Sequence, residues 1–393
     1  MELLEGITVV SLEQAVSAPF ATRNLADLGA RIVKVERPDG GDFARYYDTT
    51  VHGLSSYFVW CNRGKESLTL NLKDEAGREV LRRLVGGADV FVQNLAPGAA
   101  ARLGFGAEEM LAREPRLVVC EITGFGTEGP YRDRKAYDLI VQAETGVLAV
   151  TGSEDGFAKA GISIADIATG MYAFSGILAA LYHRAVTGEG GLVSVSMLDA
   201  LGEWVSQPAY FERYGGRPVP RSGADHATIA PYGPVRCGDG ETIFVGVQNE
   251  REWEVLCREV LLRPELAGDP RFTGNESRVR NRQALGRILT DAFTSLSADE
   301  ASRRLDDARI VNGRLRTPGM LWEHPQIQAR QRLGQAGTPA GPVDAFLPPL
   351  ASAAGPRREL GAVPSLGEHT AEILQELGYQ AGEIATLRAR GAI

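Results

Sequence analysis

The chain has 393 residues, 44% hydrophobic and 23% charged, an ordinary globular composition with enough length for two compact units. Its formal net charge of -8, with no Lys/Arg cluster interleaved with aromatics, argues against a nucleic-acid partner. Cys61, Cys120, Cys237 and Cys257 form no Cys-x-x-Cys pair and the five histidines are scattered, so no metal site is expected and free thiols fit a reducing cytoplasm.

The opening "MELLEGITVVSLEQ" has no basic region before its apolar run and does not read as a signal peptide. "ITVVSL" reads as a strand, "APFATRNLADLGA" as a helix ending near Gly29, and "RIVKVE" as the next strand. There follow "ESLTLNL", the helix "DEAGREVLRRLVGGA", the strand "DVFVQNL", a helix around "GAEEMLAREP" and the strand "RLVVCEITGFG". Strands alternating with helices predict parallel βαβ units, a doubly wound sheet with its ligand loops at the carboxyl ends of the strands. A helix is expected from about Asp166 to Val186, ended by "TGEGG" and followed by the strand "LVSVSML". Its longest apolar run, "MYAFSGILAALY", is too short to span a bilayer, so no membrane partner is expected. The Gly- and Pro-rich "GGRPVPRSGADHATIAPYGPV" reads as a linker into a smaller unit of short strands and helices. The expected layout is a large domain over 1–200, a linker over 201–225, a small α+β domain over 226–325, and a final segment over 326–393 whose end reads as a loop and two short helices.

Four stretches carry candidate chemistry. "GFGTEG" at 124–129 has the G-x-G-x-x-G spacing, but "PYRDRKAYD" follows where a dinucleotide fingerprint needs a helix, so it reads as a Gly-rich turn. "ERPDGGDFARYY" places Arg37 beside an Asp39–Gly40–Gly41 turn at the ligand edge, either as a phosphate contact or as a surface arginine. "DRKAYD" gathers Lys135, Tyr137 and Asp138, a set suited to acid–base or orienting work, or to a solvated loop. Asp166 heads a helix that is apolar or small all round, where it serves either as an N-cap or as a nucleophilic carboxylate stabilised by the helix terminus.

Taken together and in order, "GITVVSLEQAVSAPFATRNLADLGARIVKVERPDGGDFAR", "NRGKESLTLNLKDEAG", "VQNLAPGAAARLGF", "GFGTEGPYRDRKAYD", "GISIADIATGMYAFSGILAALYHRAVTGEGG" and "PSLGEHTAEILQELGY" resemble the class III coenzyme A transferases. That group includes formyl-CoA transferase, carnitine CoA-transferase and 2-methylacyl-CoA racemase. The resemblance implies an α/β fold with a parallel-sheet, Rossmann-like large domain built from both ends of the chain, 326–393 being a linker and the part that completes it, and a smaller α+β domain, in an intertwined homodimer. It implies CoA transfer from an acyl-CoA to a carboxylate, with Asp166 as nucleophile forming a mixed anhydride and then an aspartyl-CoA thioester. No permanently bound cofactor is implied; coenzyme A and acyl-CoA are substrates. Arg37 falls on a CoA-binding arginine, and Leu70, Asn71, Leu72 and Lys73 on a segment lining the nucleotide. Asn94, Leu95 and Ala96 fall on a loop against the pantetheine and diphosphate, Arg102 on a second basic contact, and Lys135, Tyr137 and Asp138 on the segment beside the thioester.

The chain departs from formyl-CoA transferase at Val16–Ser17, where that enzyme has Gln-Ala, and lacks its tetraglycine loop; both departures argue against formyl-CoA and oxalate. Only Ser17 of that motif is singled out, as a CoA contact. The racemase branch needs a His–Asp pair, and Tyr137 replaces the histidine with a group of pKa ~10, poorly matched to proton exchange. Transfer is therefore expected over racemisation, with succinyl-CoA and a small dicarboxylate as the pair and Arg45, Arg221 and His226 as contacts for the distal carboxylate. A non-catalytic CoA-binding module on the same sheet is the reading from another class, and an exchange assay separates the two.

Overall fold

The computed structural model describes residues 3–350 and 360–393. The ends of the expected spans 1–200 and 326–393 therefore include residues 1–2 and 351–359, which lie outside the described ones. Contacts divide the chain into two compact units.

The first unit comprises Met1–Val147, Ala160–Gln207 and Gln331–Ile393. Its centre is a parallel sheet of β1 (Thr8–Leu12), β2 (Arg31–Glu36), β3 (Lys65–Thr69), β4 (Val90–Gln93), β5 (Val118–Thr123) and β6 (Gly191–Ser196), in the spatial order β3-β2-β1-β4-β5-β6. The order reverses between β1 and β4, the crevice where doubly wound sheets take ligands. Strands covered on both faces need apolar residues on both. Val9 and Val10, Ile32 and Val33, and Val90, Phe91 and Val92 are accordingly all buried.

The helices of this unit include α1 (Ser17–Asp27), α2 (Glu75–Gly86), α3 (Asp138–Glu144) and α4 (Ile164–Thr187). At 24 residues α4 is longer than its apolar run suggested, and by length and composition alone it would cross a membrane. In this fold it is a core helix, with Ala168, Gly170, Ala173, Phe174 and Ile177 buried. Its small residues allow close packing. A Cβ on Gly170 would lie 2.7 Å from the Ser17 carbonyl oxygen, and one on Gly176 2.7 Å from Val193 Cγ1. The C-terminal segment also contributes to this unit. Helix Thr370–Glu376 packs on β3, with Thr370 Oγ1 accepting from Thr69 N–H (3.0 Å).

The second unit comprises Leu148–Lys159 and Pro208–Arg330. It holds an antiparallel sheet of Tyr232–Arg236, Thr242–Gly246 and Val311–Arg314 against helices that include Arg282–Phe293 and Ala298–Asp307. Arg278 is buried there, paired to Glu250 at 2.8 Å through both terminal nitrogens and lying over the Trp253 ring. The stretch 201–225, read as a linker, is not structureless: helix Ser206–Gly215 lies within it. Its "FERY" spacing was overshadowed by the Gly and Pro residues that follow.

Candidate active site

The turn between β1 and α1 and the start of α4 meet at the carboxyl edge of the sheet. Asp166 is the third residue of α4, not its N-cap; Ser163 holds the cap position and makes no side-chain cap bond. The capping carboxylate comes from α3. Asp138 Oδ1 accepts from the Ala165 N–H at 2.8 Å and the Asp166 N–H at 3.3 Å. Gln142, fully buried one turn on, donates to Asp138 Oδ2 at 2.6 Å and so fixes its orientation. The capping reading of Asp166 is therefore replaced: Asp138 caps α4, and Asp166 stands in its first turn with its carboxylate not used as the cap.

That carboxylate is half-buried and faces Ser17, whose backbone N–H and hydroxyl favour its anion. Burial and the neighbouring Asp138 charge work the other way and outweigh them, pushing the Asp166 carboxyl up to about 7. Val141, Val147, Ala165, Met197 and Leu201 form an apolar floor that takes in Ala165, the residue before Asp166. Tyr47 lies close by. Burial and the Asp42 and Asp166 carboxylates push its phenol up to about 12, so it stays a proton donor. Sequence reasoning passed over Tyr47; the run "FARYYD" after Arg37 was the available signal.

Residues 4–370 match CoA-transferase family III. The chain belongs to that family. The succinyl-CoA:glutarate CoA-transferase of Mus musculus is 33% identical, over 100% of this chain and 91% of its own. The acetyl-CoA:oxalate CoA-transferase of Acetobacter aceti is 36% identical over 95% of each chain. A CAIB/BAIF family protein from Brucella suis superimposes with a TM-score of 0.83 at 33% identity, covering 95% of this chain and 99% of that one.

In this family III CoA-transferase the expected CoA contacts fall into two groups. Arg37, Lys73, Ala96, Arg102 and Lys135 are exposed. Arg37 donates to the Gly41 carbonyl (3.2 Å), and Arg102 to the Pro97 carbonyl (3.3 Å). The others have structural duties. Leu70 is a core residue, 1% exposed, and Leu72 and Leu95 pack against the same core. Asn71 donates to the Gly391 carbonyl at 3.1 Å and ties down the C-terminus. Asn94 clamps the β1–α1 turn: its Oδ1 accepts from Gln14 N–H (2.9 Å) while its Nδ2 donates to the Gln14 carbonyl (2.9 Å) and to Ser17 Oγ (3.3 Å). Tyr137 is exposed at the start of α3 and near Tyr47. "GFGTEG" is a turn, with Gly126 and Gly129 at positive φ and no helix before α3.

Of the three residues expected at the distal carboxylate, Arg45 lies in the first unit and Arg221 and His226 in the second. Arg45 is engaged by Glu36, donating at 2.9 Å and 2.7 Å, and lies over the Phe58 ring. Arg221 and His226 belong to the second unit. There Arg221 Nε donates to the Ser153 carbonyl (3.0 Å), and His226 stacks on Tyr232 with centroids 5.3 Å apart.

Beneath the β1–α1 turn lies a set of ionised groups that no sequence pattern announced. Lys65 donates to Glu13 at 2.6 Å, to the Pro19 carbonyl at 3.0 Å and to Asn62 Oδ1 at 3.1 Å. Lys34 donates to Asp42 at 2.6 Å and lies 3.5 Å from Glu13. Glu13, Lys34 and Asp42 are wholly buried, and Glu36 and Lys65 nearly so. Burial alone would raise the Glu13 carboxyl, but Lys65 and Lys34 outweigh it and hold it below the usual carboxylate range. Burial likewise opposes Glu36 ionisation, yet Arg45 and Lys34 bring its carboxyl down to about 2.

Proposed function

We propose that this transferase moves CoA from succinyl-CoA to a small dicarboxylic acid through a thioester on Asp166. The observation that carries the reading is a half-buried carboxylate, released from capping by Asp138, facing two Ser17 donors over an apolar floor. The Asp166 oxygen attacks the donor's thioester carbon, the C–S bond breaks, and CoA leaves as thiolate. The thiolate then adds to the aspartyl carbonyl of the mixed anhydride and expels the donor acid as its carboxylate. The acceptor carboxylate repeats these steps in reverse, and Asp166 is regenerated with no net proton or electron change. Arg37, Lys73 and Arg102 are assigned to the CoA phosphates, Arg37 and Arg102 able to grip them bidentately, and Lys135 to the segment beside the thioester. The apolar floor limits water, which would hydrolyse the anhydride.

Similarity to transferases named for glutarate and for oxalate is alike in degree, so overall identity does not choose the acceptor. The lean toward longer diacids rests on Val16–Ser17 and the missing tetraglycine loop. The test is an exchange screen: succinyl-CoA and acetyl-CoA with oxalate, glutarate, itaconate, mesaconate, malate and citramalate, new CoA esters being read by mass spectrometry. Esters of four- and five-carbon diacids are expected. A screen yielding oxalyl-CoA alone would overturn the acceptor assignment, and one yielding no ester would overturn the proposed pair.

Asp138 tunes the nucleophile as well as placing it. Asp138→Asn keeps an acceptor for the Ala165 N–H and removes a negative charge beside Asp166. Because that charge raises the Asp166 carboxyl, its loss moves the acid limb of kcat/KM to lower pH. A pH–rate profile that does not move would show that Asp138 acts only as a cap.

A homodimer is also proposed. Tyr182 is 74% exposed and Val186 69% on α4, with Leu192 on the neighbouring edge strand β6 50% exposed, an apolar surface that favours a second copy. Light scattering is expected to give twice the 42.2 kDa chain mass, and a monomer would refute it.

A further inference from the structure

We propose that Asp42, backed by Lys34, is a positioning residue for transfer: it holds Ala15 in a left-handed conformation that sets Ser17 against Asp166. This rests on the reading of Asp166 as nucleophile.

Ala15 has φ +62°, a region that residues with a Cβ rarely occupy. An unsupported alanine is disfavoured there by roughly tenfold. Asp42 supplies the support. Its Oδ1 accepts from the Ala15 N–H at 3.1 Å and from the Ala44 N–H at 2.9 Å, and its Oδ2 is pinned by Lys34 at 2.6 Å. From the other side Asn94 holds both polar groups of the Gln14 backbone. The turn is thus clamped at consecutive residues, two positions before the donors that face Asp166. Gly170, one turn along α4 from Asp166, leaves room for the Ser17 carbonyl and fixes how near α1 stands. Buried ion pairs are often replaceable by apolar residues with little loss of stability, so the Lys34–Asp42 pair needs a reason besides stability. The backbone it holds supplies one.

The test uses Lys34→Met/Asp42→Ala, which removes both buried charges together, with and without Ala15→Gly, since glycine adopts positive φ freely. Each protein is given succinyl-CoA alone, and the enzyme-bound CoA ester is timed by quenched intact-mass measurement; CoA affinity is measured by calorimetry and folding by circular dichroism. The pair variant is expected to fold and to keep CoA affinity within about twofold, while ester formation slows about tenfold or more. Adding Ala15→Gly restores most of the rate, which a merely structural role would not permit. A folded pair variant that acylates at the wild-type rate, or one that Ala15→Gly does not restore, overturns the proposal. If the pair variant does not fold, Ala15→Val in the otherwise unchanged chain replaces it: the same slowing is expected with CoA affinity kept, and a wild-type rate overturns the proposal. If the wild type itself forms no ester on Asp166, the nucleophile reading fails; normal ester formation in the wild type with unslowed variants removes only the positioning role.

Discussion

Asp166→Asn is expected to abolish CoA exchange, by on the order of 10,000-fold or more, because an amide oxygen does not displace a thiolate. The same substitution is expected to stabilise the protein at alkaline pH. The Asp166 carboxyl rises from 3.8 to about 7 on folding, so the native chain holds that proton more tightly than the unfolded chain. Ionising it costs native stability: nothing below pH 4, progressively more between 4 and 7, and the full amount above 7. The asparagine variant escapes that cost. Its melting temperature is expected to match the wild type at pH 4 and exceed it at pH 8, where the variant is more stable by on the order of 2 kcal/mol after discounting for solvent at a half-buried group. Lost activity with raised stability is the signature of a group kept for chemistry. A variant that transfers CoA normally would make Asp166 an incidental carboxylate.

Glu13→Leu is expected to have the largest effect on stability. It leaves Lys65 buried without its anion, and Lys34 with Asp42 alone. Breaking a buried pair from one side costs about 3–5 kcal/mol, a large part of a total near 5–15. The urea midpoint should fall accordingly. Glu13→Leu/Lys65→Met removes both charges and should recover most of the loss. If the double variant is no more stable than the single one, the pair is not what the single substitution broke.

The parts of this fold that depend on local pattern were readable. "RIVKVE", "DVFVQNL" and "RLVVCEITGFG" gave strands because doubly covered strands must be apolar throughout, and α4 showed itself by small and apolar residues over six turns. The convergence of Glu13, Lys34 and Lys65 was not readable. Lys34 sits singly between valines, while Glu13 and Lys65 have polar neighbours and look like solvent-facing residues. Only the parallel register, with Val10 opposite Val33 and Ile32 opposite Lys65, brings them together from positions up to 52 residues apart. Asp138 was singled out for acid–base work, but its capping of α4 spans 27 residues and appears only once α3 and α4 pack. Likewise the side chains of Asn94 and Leu70 serve the turn and the core, which their local sequence does not signal.

The covalent intermediate offers the most direct test of the central claim. The wild type is incubated with succinyl-CoA and no acceptor, quenched in acid, treated with hydroxylamine and digested, and its peptides are mapped by mass spectrometry. The predicted result is a CoA thioester on the intact chain that hydroxylamine converts to a single hydroxamate on Asp166. A chain that turns over CoA esters while no adduct forms, or whose hydroxamate maps to another carboxylate, would contradict it.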